Sequence, residues 1–559
     1  MSAKAFVLSI SLFWVLLHTL KRIVPTKPGR QLILPLQRPR PQLESRLLSN
    51  PFYGRTHFTL RSLRLEIVTT GFSESHDALS WRLRNGRLAT LTRTIYDMGA
   101  FLGVFISVTS VVILPWMVMK LSREYVATLL TSDHSASSTM HGKRSGTHLA
   151  VNNGNSGTVI EPIIPGLTVP LFHLPMIILA VFVCLIVHES GHALSAALNA
   201  VPMHSAGISF NVILPGAFVS LSSASMKDLP PWPRIRIASG GAWHNIVFWA
   251  LLWFASFSGM TAGTGRVVSW LGWKYVGDIG RVVLSIDKNS PLRQHMPIGT
   301  LIMTLDDTKM ISPVAWSDYL LHPEPPTSAG WCVSRSWLRE QPKACCVSSA
   351  TSSNEMSCFV ESVLGGEGRC LNPLLVMDPA ASGPGDVPPS RCDERCALEN
   401  QVCLRPQQGE ELLRIGVEPP PWMPGAHPGI IIWRGPKHEV WDQVEIGNFQ
   451  PRHWMIPIYL PMLISTFLSY LSIVNISLFA FNLAPLSYLD GCEILDASLD
   501  LALKVRPNVR AEDSDPEAIS SRSGQWRKLW KDRLRRIVTI SSNSMMLVVI
   551  VLTLAREIA

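Results

Sequence analysis

The stretch His188-Glu189-Ser190-Gly191-His192 holds the side chains best suited to chemistry. Residues four apart share a helix face, so two imidazoles at this spacing can grip one metal ion. The carboxylate of Glu189 then lies close to any water on that ion. This is the H-E-x-x-H pattern of zinc hydrolases. Its setting is unusual, because residues 169–187 are apolar over a length that can cross a bilayer. A charged, metal-binding triplet is costly there and therefore points to function.

A catalytic zinc needs a third protein ligand and an open position for water. The candidate is Asp490, at the end of Asn482-Leu-Ala-Pro-Leu-Ser-Tyr-Leu-Asp490-Gly491, which closes a second long apolar run. Pro485 would break a helix, and Gly491 would let the chain turn beside an ion. The competing reading is an Asp-Gly turn at a membrane surface; the upstream H-E-x-x-H favours the ligand. Neighbouring Cys492 is read as a packing thiol, with metal ligation as its alternative.

The elements that must position these residues are membrane spans. The chain has 559 residues, 16% of them charged, a positive mean hydropathy and a net charge of +9. Soluble domains carry about 25% charge, so a mainly α, polytopic membrane bundle is expected. The basic residues fall in loops, which fits cytosolic flanks and argues against direct nucleic-acid binding. Spans are expected at residues 96–121, 169–187, 235–260, within 454–489, and at 537–554. A short one at 5–20 reads as an uncleaved anchor, with a signal peptide as the rival. Residues 207–221 are apolar but broken by Pro and Gly, which suggests a re-entrant hairpin or strand lining a cavity. Residues 131–157 and 378–390 read as loops.

Eight of the ten cysteines fall between Cys332 and Cys403. An even number in one loop argues for disulfides in an oxidising compartment, with a structural zinc site as the rival. A lumenal Cys-rich region makes residues 21–95 and 501–536 cytosolic, which agrees with their basic character. It also places His188 and His192 nearer the cytosolic face.

The intramembrane H-E-x-x-H, the later N-x-x-P-x-x-x-L-D-G, and Gly240-Gly241-Ala242-Trp243-His244-Asn245 between them together resemble the site-2 protease family of membrane metalloproteases. The Cys-rich insert with its Cys345-Cys346 pair is similar to the eukaryotic branch. The resemblance implies one Zn2+ per chain on His188, His192 and Asp490, with Glu189 as the catalytic glutamate. It also puts Asn245 and Asn482 near the site, as substrate or transition-state contacts or as partners of backbone groups between packed helices. His204, His244 and His173 are expected to pack or hydrogen-bond rather than ligate.

Residues 276–307 alternate apolar positions and resemble part of a PDZ-like fold, interrupted by the Cys-rich insert and resumed near 412–417 and 429–433. A generic lumenal β domain is the alternative. The whole layout is then an anchor (1–20), a basic cytosolic loop (21–95), a span (96–121) and a flexible loop (122–168). The first half of a catalytic core (169–260), a lumenal PDZ-like β domain carrying the Cys-rich insert (261–453) and the second half of the core (454–500) follow. A basic loop (501–536) and a final span (537–559) complete it.

The function expected from the resemblance is an intramembrane zinc metalloendopeptidase of the Golgi or endoplasmic reticulum. Its partners would be the lipid bilayer and membrane-anchored substrates, transcription factor precursors already cut on the lumenal side. Two other classes are weighed. A metal transporter would spread polar sites along a path and often show internal repeats, and none is evident. A catalytically inactive scaffold would have lost a ligand or the base, and none is missing.

Overall fold

The computed structural model describes residues 3–23, 56–131, 163–165, 168–257, 269–321, 330–342, 356–362, 368–378, 390–393, 395–407, 411–423, 425, 427–504 and 522–558. They fall into two compact units. The first joins the chain up to residue 255 with everything from Thr466 onward; the second is built from residues 256–465.

The first unit is mainly helical. Its long helices are α1 (Ala3–Ile23), α2 (Ser73–Asn85), α3 (Ala89–Thr131) and α4 (Leu174–Leu198). After a short α5 (Ser223–Asp228) come α6 (Pro231–Phe257), α7 (Leu460–Leu483), α8 (Asp490–Ala502) and α9 (Arg522–Ile558). Four segments are long and apolar enough to cross a membrane: Ala89–Ala127, Leu171–Leu198, Leu460–Leu483 and Trp526–Ala555. Only 17–22% of each apolar window is buried, so most of its surface suits lipid rather than protein.

One expected span differs, and another is seen in part. The segment at 5–20 lies in a 21-residue helix, of which Ile10–Thr19 is an apolar stretch among the described residues. Helix α6 is long enough at 27 residues, yet it is not among the four apolar segments. Ser239, His244 and Asn245 dilute its hydropathy, and all three point into the protein.

Small residues let the helices approach closely. Ala100, Ala238, Ala242 and Ala497 pack with Ile235, Phe479, Leu483 and Ile494, which joins α3, α6, α7 and α8. Ala180 and Cys184 of α4 meet Tyr470 and Leu471 of α7, and the Cys184 thiol points at the Leu471 carbonyl.

Residues 207–221 form a hairpin, with β3 (Met203–Asn211) paired antiparallel to β4 (Leu214–Leu221). The basic segment 21–95, read as a loop, forms regular structure over its described residues from Thr56 onward. Strands β1 (Thr56–Arg61) and β2 (Arg64–Thr69) form a second hairpin, and β2 pairs with β3. The four-stranded order is β1-β2-β3-β4, which makes β4 an edge. Helix α2 docks on α4: Ser80 donates to the Ala197 carbonyl at 2.8 Å, and His76 Nε2 meets the Ala193 carbonyl at 3.0 Å. The Arg-rich composition hid a period-2 pattern, Thr56-His-Phe-Thr-Leu then Arg64-Leu-Glu-Ile-Val, across a tight turn.

In the second unit, the strands expected to resume after the insert do share one sheet. Its order is Gly429–Arg434, Leu412–Glu418, Leu301–Leu305, Arg281–Ile286 and Val444–Gly447. Val283, Ile302, Leu305, Trp316, Leu413 and Ile415 fill its core. The insert forms a separate five-stranded sheet. Disulfides join Cys332 to Cys396 and Cys392 to Cys403, and Cys370 is disulfide-bonded as well. Cys345 and Cys346, like most of the two expected loops at 131–157 and 378–390, lie outside the described residues.

Candidate active site

Helix α4 does not end at the H-E-x-x-H sequence but runs through it for a further turn and a half. His188 and His192 therefore sit on one face, with Nε2 atoms 3.1 Å apart. Helix α7 stops at Leu483, two residues before Pro485, and α8 begins at Asp490. Asp490 Oδ2 lies 3.0 Å from His188 Nε2 and 3.2 Å from His192 Nε2. The structure thus brings Asp490 to two histidines some 300 positions earlier in sequence.

Several observations test whether this trio fits a metal. Bonds of about 2.0–2.1 Å in a tetrahedral zinc site put neighbouring ligand atoms roughly 3.3 Å apart, close to the separations seen. The three ligand atoms form one of the two described groups able to hold an ion, the other being Cys332, Cys392 and Cys396, which the disulfides occupy. Asp490 Oδ2 is buried without a hydrogen-bond donor among the described residues. His192 Nδ1–H donates to the Ile237 carbonyl at 2.9 Å, which leaves Nε2 as the lone-pair nitrogen facing the trio. The residues fit.

His188 is held from α6. Its Nδ1 lies 3.2 Å from the side-chain amide of Asn245, which is fully buried. Asn245 Oδ1 has no other partner among the described residues. It is the acceptor that a protonated Nδ1 needs, and a half-turn of the amide supplies it. Full burial against His188 favours a positioning role for Asn245 over substrate contact. Asn482, near the end of α7, makes no hydrogen bond to the trio among the described contacts.

The glycines of α4 and α6 permit this geometry. A Cβ on Gly191 would lie 2.2 Å from the Gly240 carbonyl oxygen, so the two helices touch backbone to backbone. A Cβ on Gly241 would sit 2.5 Å from His192 Nε2 and 2.6 Å from His188 Nε2, within the space a ligated ion needs. Gly491 serves close approach, since its Cβ would meet the Ala484 carbonyl oxygen at 2.1 Å.

Glu189 reaches the sheet. The backbone N–H of Val219, on edge strand β4, donates to Glu189 Oε2 at 3.0 Å. Sequence reasoning did not find this bond; the only signal was the Pro/Gly-broken apolar run itself. His244 is a bridging histidine, with Nε2 at 2.7 Å from the Tyr96 hydroxyl and Nδ1 at 3.4 Å from Ser190 Oγ. His173 lies in the turn before α4 and meets the Tyr470 hydroxyl at 2.8 Å. His204 is exposed on β3, and Cys492 stands outside the trio.

The far end of α8 is tied by charge. Asp496 and Asp500 receive Arg234 of α6 at 2.8 Å each, Lys531 of α9 at 3.0 and 2.6 Å, and Asp496 also receives Arg535 at 3.2 Å. Burial alone would raise the Asp496 pKa; the hydrogen bonds and charges of Arg234 and Lys531 outweigh it and hold the carboxyl below its ordinary range.

Comparison with known proteins agrees with the motif reading. The model of peptidase family M50 matches residues 176–423, which include His188, Glu189, His192 and Asn245 but not Asp490. A curated relative, the membrane-bound transcription factor site-2 protease homolog of Arabidopsis thaliana, is 24% identical over 381 residues, covering 60% of this chain and 72% of the relative. Both findings bear out the resemblance to the site-2 protease family.

Proposed function

We propose, from a chain similar to peptidase family M50 along its H-E-x-x-H helix, that this protein is a zinc metalloendopeptidase cutting peptide bonds within the membrane. The observation that carries the reading is the convergence of His188, His192 and Asp490 beside Glu189, on elements flanked by membrane-length helices.

His188 Nε2, His192 Nε2 and an Asp490 oxygen would hold the ion. Zinc bound there would polarise a water and the scissile carbonyl. Glu189 supplies the proton chemistry: one carboxylate oxygen takes a proton from the attacking water and delivers it to the leaving amine. Oε2 is engaged by Val219 N–H, so Oε1 is the oxygen available for transfer. A helical substrate hides its carbonyls in i to i−4 bonds and must unwind locally, which Gly, Pro or Asn in its span makes cheaper. Edge strand β4 offers backbone groups to which the unwound segment can add as a fifth strand. Metal transport would not need Glu189 held against a strand edge.

The substrate class follows from the resemblance and from the relative's name: single-span transcription factor precursors, already cut on the lumenal side. The disulfide-linked sheet suits a lumenal, oxidising face, and the Golgi or endoplasmic reticulum is the proposed compartment, with the trio nearer the cytosol. The test compares purified wild type with Glu189→Gln in detergent for bound zinc and for cleavage of a membrane-helix substrate. Zinc retained with cleavage reduced 10²-fold or more supports the reading. Equal cleavage by the two proteins would remove Glu189 from the mechanism.

A further inference from the structure

The loop that delivers Asp490 is poorly specified by its own residues. Leu489 stands at the N-cap of α8 and has no side chain with which to cap it. Tyr488 is fully exposed with φ +70°, a left-handed conformation uncommon for an aromatic residue. The backbone bonds of the loop are local: Ala484 N–H to Phe481 O, Leu486 N–H to Ala484 O, and Leu489 N–H to Leu486 O. On the side of α9 the loop faces a cavity of about 530 Å³, lined by Tyr488, Leu489 and Asp490 on one wall and by Arg535 and Thr539 on the other.

One contact spans that gap. Asn543, on α9, receives the Ser487 backbone N–H at 3.1 Å and donates to Ser487 Oγ at 2.8 Å. The pairing fixes the amide's orientation, since a backbone N–H can only donate and must face Oδ1. Asn543 lies in Ser541-Ser542-Asn543-Ser544, a polar quartet one turn into the apolar segment 537–554 that follows the basic first half of α9. An amide placed there is costly unless it is used, and both its polar ends meet Ser487.

We propose that Asn543 is a positioning residue: α9 latches the Ser487–Leu489 loop through this two-point bond and so sets where the Asp490 carboxylate stands relative to His188 and His192. The proposal rests on the reading of that trio as a metal site. It assigns to α9 a part in building the site, although among the described residues no α9 side chain is bonded to the ligand atoms.

The experiment uses the full-length protein in detergent with Asn543→Leu, which keeps size and suits a membrane helix. Ser487→Ala and the double variant stand beside it. Zinc affinity is measured by chelator competition, and hydrogen exchange of the 484–492 amides is measured in metal-free protein. The latch predicts faster exchange in this segment and a zinc dissociation constant 10- to 100-fold higher in Asn543→Leu, the scale typical of residues that orient metal ligands. Ser487→Ala, which leaves the backbone N–H bond intact, should show a smaller effect and add nothing to Asn543→Leu. Zinc affinity unchanged in Asn543→Leu overturns the proposal, whether or not exchange rises. If Asn543→Leu misfolds, Ser487→Ala with unchanged exchange and affinity also overturns it. If wild type binds no zinc, the metal reading fails by itself, and unchanged exchange in Asn543→Leu then refutes the latch separately.

Discussion

The Val219 backbone N–H donates to Glu189 Oε2 at 3.0 Å, joining the edge of a four-stranded sheet to the carboxylate of the H-E-x-x-H helix. The sheet therefore does more than fill space beside α4. It fixes one oxygen of the proposed base and leaves the other to move protons. Val219→Pro would delete this donor. Val219 pairs with Ala206 across the hairpin, and its N–H points away from that ladder toward Glu189, so proline costs no β3–β4 bond at this position. Zinc content should stay at the wild-type level while cleavage falls at least tenfold, mostly in kcat. Wild-type turnover by Val219→Pro would show that the bond has no part in catalysis.

Asn245 is expected to act through His188 rather than on substrate. Asn245→Leu removes the acceptor for His188 Nδ1–H in a fully buried place, and zinc affinity should drop 10- to 100-fold. Asn245→Asp retains an acceptor and should hold zinc better than Asn245→Leu. Were Asn245 a substrate contact, both variants would bind zinc normally and differ from wild type only in KM or kcat.

The chemistry of this chain was more legible than its supports. His188, Glu189 and His192 announce themselves because i, i+4 geometry is a local rule, and Asp490 because an acid at the end of an apolar run needs a reason. The break at Pro485 followed from its missing N–H. Contacts across the fold carry no such local signature. Nothing near Val219 in sequence points to Glu189, and Asn543 pairs with Ser487 across 56 positions. The β1–β2 hairpin was hidden because most of its exposed positions are polar, His57, Thr59, Arg61 and Arg64, which a composition reading scores as loop. For α6 the resemblance already puts Asn245 near the site, but only the structure shows that it holds His188 and that His244 bridges to Tyr96.

The charge cluster behind α8 should make the site acid-sensitive. Asp496 has its pKa lowered in the folded state, so its contribution is complete above the ordinary carboxylate value of about 3.9 and is lost as pH falls through the lower folded value. The groups facing it are Arg234, Lys531 and Arg535, with Asp500 and Glu493 beside them. Lys531→Met removes one cation and should lower the thermal midpoint at pH 7. The gap to wild type should then narrow as pH falls below the ordinary carboxylate value and through the lowered folded value at which Asp496 gives up its charge. A gap independent of pH would mean that Lys531 stabilises α9 by packing alone.

Gly241 offers the sharpest steric test of where an ion sits. A methyl group there would stand 2.5 Å from His192 Nε2 and 2.6 Å from His188 Nε2, closer than real Cβ contacts allow. The two rings cannot retreat freely, because Nδ1 of His192 is bonded to the Ile237 carbonyl and Nδ1 of His188 to Asn245. Alanine otherwise favours the helix over glycine by about 1 kcal/mol, so the fold itself has reason to tolerate the change. Gly241→Ala should therefore keep its helical content and its behaviour in detergent while losing zinc and cleavage together. If Gly241→Ala binds zinc with wild-type affinity, the ion does not lie between these two nitrogens and α6, and the site must be built elsewhere.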